Sequence, residues 1–154
     1  MHTPVSFRNP GVEDLPAILA LLADDMLGAA RELPGATPAP AHLSAFAAIA
    51  ADSNNELLVA CQGGRTVGFL QITYIPGLSR QGAWRAQVEA VRIASDLRSQ
   101  GIGRALMTEA IRRAGERGCR LVQLTTDKQR ADAHRFYLQL GFVASHEGMK
   151  LALD

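Results

Sequence analysis

The sequence predicts a mixed α/β fold in one domain, and three observations carry that reading. A chain of 154 residues with 47% apolar content suits one domain with a real core. Strand-like and helix-like stretches follow one another in the order β-α-α-β-β-β-α-β-α-β. Three adjacent strands in the middle favour hairpins, while the later β-α-β segment brings two strands parallel.

The elements are justified in order. Residues 5–8 read as a short strand, and Asn9-Pro10-Gly11 as turn chemistry. A helix is expected over 12–26, with Leu15, Ile18, Leu19 and Leu22 at helical spacing. Glu13 and Asp14 favour its start, and Pro16 is tolerated because it lies in or near the first turn. The glycines and prolines of 28–40 predict a loop, and 41–51 a second short helix that Asp52-Ser53-Asn54-Asn55 ends. Residues 57–61 are strand-like, Gln62-Gly63-Gly64-Arg65 is a hairpin turn, and 66–75 returns antiparallel until Pro76-Gly77. A strand follows over 87–93, then a glycine-punctuated loop and a helix over 102–117. Residues 121–125 predict a strand, 131–140 a helix, and the remainder through Val143 and 149–153 the last strands.

Charge excludes some functions. Sixteen basic residues stand against 15 acidic ones, which argues against broad electrostatic capture of nucleic acid or an anionic membrane. No apolar run of about 18 residues appears, and Met1-His2-Thr3-Pro4-Val5 lacks a signal-peptide pattern, so the expected location is the cytoplasm. Cys61 and Cys119 are expected to be free thiols. His2, His42, His134 and His146 are scattered, and no ligand spacing points to a metal.

The most informative stretch runs from Val88 to Met107, strand into loop into helix. Gly101 and Gly103 let backbone approach a ligand closely. The first turn of the following helix offers unpaired N–H groups and partial positive charge, which suits a phosphate. Arg98 and Arg104 flank it. A dinucleotide loop would want a glycine where Leu106 stands, and a P-loop would want Gly-Lys-Ser/Thr, which is absent.

What remains, Arg98-x-x-Gly101-x-Gly103, resembles the acetyl-CoA signature Arg/Gln-x-x-Gly-x-Gly/Ala of the GNAT superfamily of N-acetyltransferases. A second block, Ala133-His134-Arg135-Phe136-Tyr137-Leu138-Gln139-Leu140-Gly141-Phe142, resembles that family's Ala-x-x-Phe-Tyr-x-x-x-Gly-Phe arrangement. One strand separates the two blocks, as in the family, and the first 55 residues match only in element order. The resemblance implies a mostly antiparallel sheet of six to seven strands flanked by about four helices and splayed between the fourth and fifth strands. It implies acetyl-CoA as acetyl donor, with pantetheine in the wedge against the backbone of Val91, Arg92 and Ile93. The pyrophosphate would lie on N–H groups from Arg98 through Ser99, Gln100, Gly101, Ile102 and Gly103 to Arg104, with Phe136 and Tyr137 beside the cofactor.

Acetyl transfer needs a neutral amine, donors for the oxyanion and an acid for the departing thiolate. An alkylammonium has a pKa near 10, so a base or a water relay must take a proton. Tyr137 matches the tyrosine that the family places near the CoA sulfur and is the acid candidate. Glu89 is the base candidate: if it shares a face with Val91 and Ile93 it enters the wedge, and partial burial would make it a better acceptor. Gln87, on the same face by alternation, could instead order a water. A pairing of Glu89 with Arg92 or Arg85 is the structural alternative.

Other candidates are weaker. His134 lies one turn before Tyr137 and could shuttle a proton or serve as a surface or capping residue. Asp127-Lys128-Gln129-Arg130 stands where many relatives carry an asparagine, which weakens transfer of that contact; a charge there could instead meet the ribose phosphate. The loop 76–85, with Arg80 and Trp84, could border the acceptor site, and Asp24, Asp25 and Glu32 could attract a cation. The expected partner is a small-molecule or peptide amine. A homodimer is compatible with the resemblance, and the apolar C-terminal strand could contribute to it. The competing readings are a CoA-binding regulatory domain without turnover and a nucleotide-binding module.

Overall fold

The computed structural model describes residues 3–24 and 37–154. Asp25, Met26, Gly28, Glu32 and His2, on which part of the first helix, the loop and three candidate side chains were read, lie outside the described residues. The chain divides into two compact units, one ending at Gln123 and the other spanning Leu124–Asp154.

The first unit is a five-stranded sheet in the order β1-β2-β3-β4-β5. The strands are β1 Val5–Arg8, β2 Asn55–Gln62, β3 Arg65–Ile75, β4 Arg85–Ile93 and β5 Leu121–Gln123. The first three pairings are antiparallel, and β4 runs parallel to β5. The helices are α1 Leu15–Ala23, α2 Pro40–Ala51, a single turn α3 Ser79–Gly82, and α4 Ile102–Glu116.

Local chemistry explains these elements. Asp14 accepts from both Nη atoms of Arg8 at 2.8 Å and from the Gly11 N–H at 2.8 Å, which fixes the entry to α1. The Arg8 guanidinium accordingly holds the Asp14 carboxyl below the usual carboxylate range. Gly63 and Gly64 both take positive φ, +58° and +76°, as the tight β2–β3 hairpin requires.

Helices cover both faces of the sheet, so four successive residues of β2, Leu57 to Ala60, are buried together. On one face Ile18, Leu21, Leu57, Val59, Phe69 and Ala94 form a cluster to which α2 adds Phe46 and Ile49. The other face carries Leu58, Leu70, Ile72 and Val88. There α4 buries Ile102, Leu106, Met107, Ala110 and Ala114 at helical spacing. The Tyr74 hydroxyl donates to Glu56 at 2.9 Å, Arg113 of α4 also reaches Glu56, and Arg117 lies 4.1 Å over the Tyr74 ring. These contacts tie α4 to that second face.

The second unit contains α5, Ala131–Gln139, closed by Gly141 at φ +99°. Residues 141–154 form no strand, which corrects the expectation of last strands at Val143 and 149–153. Val143, Met149, Leu151 and Leu153 are between 79% and 95% exposed, so the alternating apolar pattern there has no ladder to join among the described residues. Periodicity marks a strand only when a partner completes its hydrogen bonds. The sheet of the described residues therefore has five strands rather than six to seven, and the described residues form five α-helices counting the single turn α3.

Candidate active site

The face of the sheet that packs on α1 and α2 changes character along the strands. Its apolar part holds Leu57, Val59 and Phe69. Beyond them the register brings Asn55, Thr73, Gln87 and Gln123 into one row across four strands. Gln71 and Glu89 pair in the adjoining row. Thr73 Oγ1 donates to Asn55 Oδ1 at 2.8 Å, and Gln71 Nε2 reaches the same oxygen at 3.5 Å. Gln123 Nε2 donates to Gln87 Oε1 at 2.9 Å, and Gln87 Nε2 donates to Glu89 Oε1 at 2.8 Å. The expected common face of Gln87 and Glu89 is present, and Gln87 engages the carboxylate directly.

Glu89 departs from expectation in two ways. It is exposed rather than partly buried. It also does not share a face with Ile93. Glu89 pairs with Gln71 and Arg92 with Phe69, so three residues of β4 advance against two of β3. This is a β-bulge, and Ala90 takes a left-handed φ of +57° to make it. The bulge sets Arg92 on the face of Glu89 and turns Ile93, opposite Gly68, to the other face. The side chain of Ile93 lies 3.0 Å from where a Cβ on Gly68 would stand, so a larger residue there would have to displace it. Glu89 takes its hydrogen bond from Gln87, and Arg92 donates to the carbonyl of its neighbour Val91 at 3.0 Å.

The β4–β5 ladder covers only Arg85↔Leu121, Ala86↔Val122 and Gln87↔Gln123. From Val88 to Ile93, the β5 side of β4 has no ladder partner among the described residues. This half-open edge leads straight into the glycine loop. Ala94 is buried and its N–H bonds the Val67 carbonyl at 2.8 Å, ending the strand. A single turn, Ser95–Leu97, follows. Ser99 takes φ +66° and Gly101, the N-cap of α4, takes φ +86°. Among the described residues no side chain caps α4, which leaves the first N–H groups at Ile102, Gly103 and Arg104 as donors for another acceptor. A Cβ on Gly101 would meet nothing within 4 Å, so its conformation, and not crowding, calls for glycine. Ile102 is buried and anchors the turn, while Ser99, Gln100, Gly101 and Arg104 are exposed. A helix N-terminus of this geometry suits an anion chemically.

One ion pair and two hydrogen bonds to Asp24 brace this loop. Arg65 makes a two-pronged pair with Asp96 at 2.8 and 2.9 Å and holds that carboxyl below the usual range. Asp24, just past α1, accepts the Ser95 N–H through Oδ2 at 3.2 Å and the Arg98 Nη2 through its carbonyl at 3.0 Å. Arg98 thus serves the loop's own architecture, and Asp24 is a structural clamp and not a loose acid. Within the turn α3, Arg80 and Gln81 take left-handed φ values of +54° and +63°, and just before β4 the Trp84 carbonyl accepts the Arg120 N–H at 2.9 Å.

Within the second unit, Tyr137 sits between two rings. Phe136 lies 5.2 Å away and Phe142 5.8 Å away, both edge-on. His134 is on the same helix one turn earlier, and Asp127 shapes the approach to α5 by accepting the Gln129 N–H at 2.9 Å. Arg130 is the N-cap residue of α5. The candidate base Glu89 belongs to the first unit and the candidate acid Tyr137 to the second. Two residues of the site escaped sequence reading. Gln123, a lone glutamine among Leu121, Val122 and Leu124, carried a faint signal; Asn55 read as part of a helix end.

Among the described residues, no group of three or more His, Cys, Asp or Glu is arranged to hold a metal, and no helix is long and apolar enough to cross a membrane.

Residues 17–142 match the model of the acetyltransferase (GNAT) family. A crystal structure named a transcriptional regulator, from Bacillus halodurans, is 52% identical and superposes with a TM-score of 0.94 over 97% of this chain and 100% of its own. A crystal structure of a Trypanosoma brucei acetyltransferase is 26% identical, with a TM-score of 0.78 over 97% of this chain and 100% of its own. The aminoalkylphosphonate N-acetyltransferase of Salmonella typhimurium is 32% identical over 101 residues, which is 66% of this chain. The match spans 65% of that relative's length.

Proposed function

Since the chain belongs to the acetyltransferase (GNAT) family, we propose that it is a single catalytic domain that transfers the acetyl group of acetyl-CoA directly to a primary amine in a ternary complex. The observation that carries this reading is the uncapped first turn of α4, which follows directly on the half-open edge of β4.

The pyrophosphate is taken by N–H groups between Arg98 and Arg104, at the positive end of α4. The pantetheine arm pairs with the backbone of Val91, Arg92 and Ile93, supplying the strand partner that β4 lacks from Val88 onward. In the second unit, Phe136 and Tyr137 are the candidate cofactor residues that the family resemblance implies. Glu89 removes a proton from the acceptor ammonium, freeing the nitrogen lone pair to attack the thioester carbonyl. Collapse of the tetrahedral intermediate breaks the C–S bond, the Tyr137 phenol gives its proton to the departing thiolate, and the second proton lost by the nitrogen passes to solvent, from which the phenolate is reprotonated.

Acceptors to screen begin with small aminoalkyl compounds, as the name of the Salmonella relative suggests, and extend to peptide amines. Two free cysteines suit a reducing compartment, which supports a cytoplasmic location. The exposed apolar side chains of Met149, Leu151 and Leu153 support a homodimer.

The test is release of free CoA thiol from acetyl-CoA with a panel of amines. Amine-dependent release, reduced at least tenfold in Glu89→Gln, is the expected result. The second reading, CoA binding without turnover, draws on the regulator name borne by the Bacillus halodurans relative. Binding of acetyl-CoA with no thiol release for any amine would favour it. The Glu89 carboxylate, held in a relay of side-chain amides, favours the enzyme.

A further inference from the structure

The polarity of the Glu89 relay is dictated from one end. An ionised carboxylate only accepts, so Gln87 must turn its Nε2 toward Glu89, and the 2.8 Å contact has that sense. The Gln87 Oε1 then points the other way and needs a donor. Gln123 supplies one, Nε2 to Oε1 at 2.9 Å. Alternation along β4 puts Gln87 and Glu89 two residues apart on one face, and Gln87↔Gln123 is the final pair of the β4–β5 ladder. The relay therefore starts where the two strands stop pairing and ends on one carboxylate oxygen. Among the described residues, no hydrogen bond reaches the other oxygen, Oε2.

We propose that Gln87 and Gln123 are positioning residues that hold the Glu89 carboxylate by Oε1 and leave Oε2 to take the proton of the acceptor ammonium. This rests on Glu89 being the base. The proton passes from nitrogen to Oε2, and the nitrogen keeps its electron pair for attack on the thioester carbon. Among the described residues of the first unit, few other groups on this face compete for the carboxylate. β3 presents Gln71 and Thr73, and the charged side chains of β4 on this face are Arg85 and Arg92. α1 carries no ionisable side chain, and the single one on α2, His42, accepts the Ala39 N–H through Nδ1 at 3.0 Å.

The relay makes an asymmetric prediction. In Gln123→Glu the new carboxylate accepts only, so Gln87 Oε1 loses its donor and the new carboxylate competes with Glu89 for the Gln87 amide group. The acid limb of the kcat/KM profile then moves to higher pH by about half to one unit, with kcat at neutral pH reduced several-fold and KM for acetyl-CoA unchanged. Gln87→Met removes the donor outright and moves the limb the same way. Gln123→Met, which adds no charge, lowers kcat about two- to fivefold with a smaller displacement of the limb, and stands in should the charged variant not fold. A readout free of the acceptor accompanies these. The Gln87 side-chain amide resonances, assigned through Gln87→Met, shift in both Glu89→Gln and Gln123→Met.

The kinetics use the amine that gives the fastest thiol release in the screen. If Glu89→Gln retains full activity, the base assignment falls and takes the positioning role with it. If Glu89→Gln is impaired while the Gln87 and Gln123 variants keep the wild-type limb and the Gln87 amide resonances stay in place, the relay alone is overturned.

Discussion

Arg98 donates through Nη2 to the main-chain carbonyl of Asp24 at 3.0 Å, and Asp24 in return accepts the Ser95 N–H through its carboxylate at 3.2 Å. The end of α1 is thereby fastened to the loop that precedes α4. If the loop acted by charge alone, Asp24→Ala would help an anionic ligand by deleting a negative neighbour. Acting as a clamp, the same change loosens the loop. We expect Asp24→Ala to raise KM for acetyl-CoA about three- to tenfold with kcat nearly unchanged, measured by steady-state kinetics.

Gly101 and Gly118 form a matched pair. Their φ values are +86° and +82°, and a Cβ on either meets nothing within 4 Å. An alanine at each costs about 1 kcal/mol of backbone strain. Gly101→Ala in addition projects a methyl where the pyrophosphate is expected, so acetyl-CoA affinity falls at least tenfold. Gly118→Ala loses the same stability and keeps wild-type affinity. Urea melts and calorimetric titration separate the two effects.

Glu109 reports on stability against pH. Hydrogen bonding from Arg112, with a further bond from Arg113, holds its carboxyl down at about 2 against burial that pushes it up. A depressed folded-state value means stability that is full above the ordinary carboxylate range and fades as pH falls toward 2. Glu109→Gln therefore destabilises by about 1–2 kcal/mol at pH 7, a figure reduced for the exposed Arg112 partner. The difference from wild type closes by about pH 2, which urea unfolding across pH measures.

Tyr137→Phe keeps the edge-on ring contacts with Phe136 and Phe142 and removes only the hydroxyl. Melting temperature should change by no more than about 2 °C. If the phenol protonates the thiolate, kcat drops about 100-fold with KM for acetyl-CoA little changed. Loss of affinity in place of kcat would make Tyr137 a packing residue.

The sequence was legible where local chemistry and tertiary fold agree. The Gly63-Gly64 hairpin, the α4 face of Ile102, Leu106, Met107 and Ala110, and the glycine loop all stand as read. The bulge was not legible, because a left-handed residue inside a strand ordinarily announces itself as glycine and here is Ala90. That one residue moved Arg92 onto the face of Glu89 and Ile93 off it. The terminal alternation Met149, Leu151, Leu153 misled for a different reason: a strand depends on a partner that local pattern cannot supply. Gln123 carried only a faint signal because its contact with Gln87 comes from register across the parallel pair.

The most direct test of the central claim is thermal melting with acetyl-CoA, with ATP and NAD as controls. A ligand bound only to the native state at about 100 times its Kd adds about 2.7 kcal/mol, a rise of roughly 5–10 °C for a chain of this size. The account predicts that rise with acetyl-CoA and its loss in Gly101→Ala. No shift at millimolar acetyl-CoA, or an equal shift with ATP and NAD, would contradict it.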